Sequence, residues 1–88
     1  MDIRQIVGDN IRCFRYKTKW TQEKLGEVAG LSGDYIGRLE RGLENISVEN
    51  LVKLSTALNA EPSWFLIQDF CHNIEKTGKS KKLITEVS

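Results

Sequence analysis

No apolar run in this 88-residue chain approaches the ~20 residues that a membrane-spanning helix needs. The opening stretch from Met1 to Arg12 contains acids and lacks the apolar centre of a signal peptide, so export is not expected. Histidine is nearly absent: His72 is the single one and has no ligand set around it, which excludes most metal chemistry. The two cysteines, Cys13 and Cys71, are too few for a disulfide framework, and their spacing is not a zinc pattern. One proline and seven glycines exclude collagen-like and low-complexity readings. Neither a Cys–His nor a Ser–His–Asp constellation is assembled by the spacing, and the adjacent Cys71 and His72 read as packing and surface residues. No enzyme activity, cofactor or metal is therefore expected, and the setting read from composition is a bacterial-type cytoplasm.

What is present is ordinary for a globular domain: 40% hydrophobic and 28% charged residues. A chain this short makes one domain and buries only about 60–65% of its unfolded surface, so a partner subunit would help its core. The net charge of +1 is unevenly spread. Residues 1–20 carry five bases (Arg4, Arg12, Arg15, Lys17, Lys19) against two acids, whereas residues 43–70 carry only Lys53 against four acids. Residues 71–88 are basic again, with four lysines and two glutamates. This polarity fits either one basic face or an ordinary mixed surface.

The apolar pattern is helical throughout. Ile3, Val7, Ile11 and Phe14 form one stripe and predict a helix over about 2–17. Thr21 is a good N-cap for a helix over 22–29 with Leu25, Val28 and Ala29 on its inner face, and Gly30 ends it. Ser32 caps the next helix, about 33–41, with Ile36 and Leu39 inward and Gly42 at its end. A fourth begins at Ser47, where Leu51, Leu54, Ser55 and Leu58 fall at i, i+3, i+4 and i+7. Pro62 suits the first turn of a fifth. In that fifth helix Trp64, Leu66, Ile67, Phe70, Cys71 and Ile74 spread over half the circumference, with Phe65 outside the arc. So broad a stripe fits either a second apolar face for another subunit or a terminal helix wrapped by the tail. Two regions are expected: a domain at 1–76 and a polar tail at 77–88.

The segment from Thr21 to Gly42 carries the functional signal. Two short helices are joined at Gly30 and Leu31, Gly26 is small where they would cross, and Leu25, Ile36 and Leu39 hold their angle from inside. This is the helix-turn-helix arrangement, whose second helix enters the DNA major groove.

With its N-cap, Gln22, the small residue at 26, the glycine at 30 and the closing Glu40-Arg41-Gly42, the chain resembles the lambda-repressor-like family, the Cro/CI or XRE type, over roughly residues 8–67. Within it, the Tyr35-Ile36 pair is similar to restriction–modification controller proteins. The resemblance implies an all-α, five-helix DNA-binding fold with a C-terminal tail. It implies base reading at Gly33, Asp34, Tyr35 and Arg38, on a recognition helix at about 33–41. Many members carry glutamine or arginine where this chain has Gly33, which offers no side chain to a base but allows close backbone approach. Asp34 accepts from cytosine N4 or simply favours the positive helix end. Arg38 suits guanine O6 and N7, or else a phosphate. Tyr35 suits a thymine methyl or a phosphate.

Backbone contacts are implied for Trp20, Thr21, Gln22, Ser32, Arg41 and Asn45, with Ser47 in the same loop. Gln22 at the start of its helix grips a phosphate. Trp20 and Thr21 add to it or only pack and cap, and Asn45 alternatively serves a turn. Arg15 and Glu40 are implied as a structural salt bridge that orients the recognition helix. Trp64, Ile67 and Phe70 are the expected dimer interface. The expected function is a homodimeric transcription regulator on an inverted-repeat operator of double-stranded DNA. The alternative is an antitoxin or other protein-interaction module, with a partner protein on helix five or the tail and DNA binding secondary. No membrane role is expected.

Overall fold

In a computed structural model of the protein, residues 2–77 are described. The first helix, α1, spans Ile3–Thr18. Asp2 starts it: its side chain accepts from the Arg4 backbone N–H, satisfying a donor that no earlier turn reaches. Val7, Ile11 and Phe14 of the expected stripe are buried, whereas Ile3 at the helix end is half exposed. The second helix, α2, spans Gln22–Ala29 and is capped by Thr21; the third, α3, spans Gly33–Glu40 and is capped by Ser32. Gly30 sits between them in the left-handed region. The fourth helix, α4, covers Val48–Ala57 behind its cap Ser47. Leu51, Leu54 and Ser55 on it, and Leu58 just past its end, are all buried. Val28 departs from expectation, lying on the outside of α2 rather than against the core.

The region expected as one fifth helix is two elements. A 3-10 turn covers Pro62–Leu66, and α5 covers Phe70–Thr77. Between them Ile67 is extended and Asp69 has a positive φ of 60°. The break has a physical cause in α1. Asn10, fully buried, donates from Nδ2 to the carbonyls of Trp64, Phe65 and Ile67. Its Oδ1 accepts from the Cys71 backbone N–H at 3.1 Å, supplying an acceptor near the start of α5. The break reverses the expected burial of Phe65, which is fully enclosed at the centre of the core. Trp64 and Phe70 are half-buried and stack on each other at 5.1 Å between ring centroids, and Trp64 also stacks on Phe14 at 6.1 Å. The single broad stripe expected of one long helix is therefore divided between two short elements.

Cys13 and Cys71 form a disulfide between α1 and α5. This corrects the reading of Cys71 as a packing residue alone: helix packing brings together two cysteines 58 residues apart in sequence. The described residues contain five α-helices and no strand, and no helix among them is long and apolar enough to cross a membrane. Nearly all of the expected tail, residues 78–88, lies outside the described residues.

Candidate nucleic-acid interface

The site is built on Glu40, the last residue of α3. Its side chain is fully buried and accepts from Arg15 Nε at 2.6 Å and Arg15 Nη2 at 2.9 Å. Arg15 is itself buried and spends Nη1 on the Trp20 carbonyl at 2.9 Å. Its hydrogen bond to Glu40 holds the guanidinium above its ordinary pKa, against the opposing effect of burial. Gln22 Nε2 adds a third hydrogen bond to Glu40, at 3.0 Å. Arg12, not singled out in the sequence, lies beside the carboxylate and donates from Nη2 to the Glu40 carbonyl at 3.0 Å. One carboxylate thus ties α1, α2 and α3 together and fixes the angle between the last two.

The glycines set how close those helices come. A Cβ on Gly8 of α1 would run into the Leu39 carbonyl oxygen, so only glycine lets α1 meet the end of α3. Gly33 faces the other way from what its grouping with base-reading positions implies. A Cβ there would lie 2.9 Å from Glu23 Cα, so the position points into α2 and its role is close helix packing.

The outer face of α3 carries Asp34, Tyr35 and Arg38. Asp34 is exposed, and Tyr35 is half-buried with its hydroxyl accepting from Asn50 Nδ2 at 3.1 Å. Arg38 lies near the Tyr35 ring, its Cζ 5.8 Å from the centroid. Its guanidinium donates from Nε to Glu44 at 2.8 Å and from Nη1 to Asp34. The Glu44 hydrogen bond is the main reason its pKa is raised; desolvation opposes this, and the charge of Asp34 adds to it.

The backbone-contact candidates sit around this face. Thr21 and Ser32 spend their hydroxyl acceptors on the Lys24 and Tyr35 N–H groups, as caps. Trp20 is half-buried and packs against the core. Gln22 leans over Gly37 towards Glu40, which leaves its backbone N–H at the start of α2. Arg41 and Asn45 are exposed at the end of α3 and in the loop beyond, where Ser47 caps α4. Ile67 is half exposed, unlike its expected companions Trp64 and Phe70. Glu44, Asn50, Arg12 and Asn10 were missed, because each acts through a contact that no local pattern encodes.

A compact helix pair with a capped, outward-facing second helix defines the helix-turn-helix class. The chain belongs to that family: the helix-turn-helix family model matches residues 14–65. It is a DNA-binding transcription regulator of the XRE type and not an enzyme. Control protein C.SmaI of Serratia marcescens is 41% identical over 59 residues, covering 67% of this chain and 70% of that protein. The crystal structure of the restriction–modification controller protein C.AhdI from Aeromonas hydrophila superposes with a TM-score of 0.68 at 38% identity, covering 73% of this chain and 91% of that one. The c2 repressor of Salmonella phage P22, solved in complex with a synthetic operator, gives a TM-score of 0.66 at 38% identity, covering 68% and 91%. These neighbours carry the lambda-repressor-like, all-helical fold.

Proposed function

We propose that this protein is a cytoplasmic, homodimeric regulator that binds an inverted-repeat operator, with α3 in the major groove of each half-site. The carrying observation is the outer face of α3, where Arg38 stands beside Asp34 and Tyr35 on a helix tied to its neighbours through Glu40. Arg38 reads guanine through its paired N–H groups. The start of α2, with the Gln22 N–H, and the exposed Arg41 and Asn45 hold phosphates on either side. The C.SmaI and C.AhdI similarities favour a controller-type role, and the P22 repressor's operator complex is in keeping with operator binding.

Dimerisation is assigned to the face bearing Leu66 and Ile67, each 49% exposed. Leu66 lines a mainly apolar cleft with Ile3, Val7, Ile46, Val48 and Leu51, which Arg4, Glu44 and Asn45 complete. Apolar surface of this kind on so small a domain is suited to a second copy.

Enrichment of binding sites from a random DNA library tests the proposal. The expected product is an inverted repeat whose half-sites are centred about one helical turn apart. Arg38→Ala should cost roughly 1–3 kcal/mol on that site and relax one base pair per half-site. Gln22→Ala should weaken all sequences by a similar factor, since a phosphate contact carries no sequence information. An enriched pool without an inverted repeat would remove the dimeric operator from the reading.

A further inference from the structure

The loop that follows α3 brings an acid back onto the base-reading face. Gly42, at φ 74°, turns the chain in the left-handed region, and the Leu43 N–H returns to the Arg38 carbonyl at 3.0 Å. Glu44 is thereby laid alongside Arg38. Its Oε2 accepts from Nε at 2.8 Å, and each of the two side chains keeps 37% of its surface in solvent. Asp34 takes Nη1 from the other side, and at 81% it is far more exposed than Glu44.

The two carboxylates are not equivalent. Glu44 holds the inner edge of the guanidinium, at the nitrogen nearest the chain. Asp34 holds part of the outer edge, the one that presents two N–H groups to guanine O6 and N7. We propose that Glu44 is the positioning residue for base selection, fixing the Arg38 guanidinium by its Nε so that the outer edge faces the groove, while Asp34 is a removable partner that guanine displaces. The proposal rests on Arg38 reading a base and adds what makes that reading selective. A guanidinium already turned towards the base loses less side-chain freedom on binding. One held by its neighbours is also less free to swing onto a phosphate, which would bind any sequence.

The test compares the enriched operator with the same site altered at the base pair read by Arg38, and with random DNA. Arg38→Ala tests the underlying reading: it should abolish discrimination at that pair. If it leaves discrimination intact, the base assignment fails and the role of Glu44 fails with it. With the reading secured, Glu44→Ala should lower discrimination at that same pair about tenfold, within the range a bidentate base contact supplies.

Glu44→Gln separates orientation from charge. The amide oxygen still accepts from Nε, so discrimination should be largely kept, although the negative charge is gone. Affinity for random DNA should rise alike in both variants, because each removes one acid near the phosphates. In the Arg38→Ala background, Glu44→Ala should change discrimination no further. The proposal is overturned if Ala and Gln strengthen operator and altered site by one common factor, or if the lost preference falls at a different base pair. Thermal unfolding of each variant checks that the fold is intact.

Discussion

Glu40 joins three helices through one side chain. Removing it would leave the buried Arg15 guanidinium without its carboxylate, and breaking a buried pair from one side costs about 3–5 kcal/mol. Glu40→Ala should therefore shift the urea midpoint by a large fraction of a small domain's total stability. Replacing both partners with apolar residues of similar size should cost much less. A milder effect is expected at Asp2, whose hydrogen bonds from the Arg4 side chain and backbone lower its pKa. A depressed carboxylate contributes above its unfolded pKa and loses that contribution as pH falls through the folded value. Protection of the Gln5 and Ile6 amides, early in α1, measured relative to the intrinsic exchange rate at each pH, should accordingly fall below about pH 4, and Asp2→Asn should flatten that dependence. The Arg15–Glu40 pair was reached through the family resemblance, which implies an arginine on the first helix meeting the glutamate before the loop glycine, and the two side chains do meet. Glu44 was not legible, since nothing local says that Gly42 will fold it back onto Arg38.

Among the elements, α1 was legible from its apolar stripe, and α2 to α4 because each also carries its own start signal. Thr21, Ser32 and Ser47 all cap as their position implies. The region after Pro62 was not legible, since its break is imposed by Asn10, more than fifty residues earlier in the chain. Asn10→Leu should expose this dependence. The carbonyls of Trp64 and Ile67 keep the Ile67 and Phe70 N–H groups, but the Phe65 carbonyl and the Cys71 N–H lose the partner that Asn10 supplies, and each polar group left buried and unpaired costs about 1–3 kcal/mol. The expected result is a destabilised protein with faster amide exchange at Cys71 in particular. The disulfide was equally hidden, because pairing of cysteines follows from helix packing and not from their spacing. Closing a loop of 58 residues restricts the unfolded chain by about 4 kcal/mol in the chain-entropy model. A dithiol reductant should lower the unfolding midpoint accordingly, while Cys13→Ser should make the midpoint indifferent to reductant.

For the whole molecule, the expected signature is electrostatic and stoichiometric at once. A dimer that lays two helix N-termini and two loops on the duplex should lose affinity steeply with salt, with a log–log slope of about −0.9 per phosphate neutralised. A flat dependence would favour a module that holds another protein. Ile67→Asp, on the half-exposed residue, should shift sedimentation towards monomer at micromolar concentration and weaken operator binding with it. Trp64→Asp and Phe70→Asp should instead lower stability first, because both rings pack into the core cluster.

The Cys13–Cys71 bond also gives the molecule an unusual covalent topology for its size. All of α2, α3 and α4 lie between the two sulfurs, so the segments proposed to meet DNA belong to a macrocycle. A single protease cut anywhere between residues 14 and 70 opens that ring without releasing a fragment. A nicked regulator would keep its full mass in a non-reducing gel and fall into two pieces only when a thiol is added.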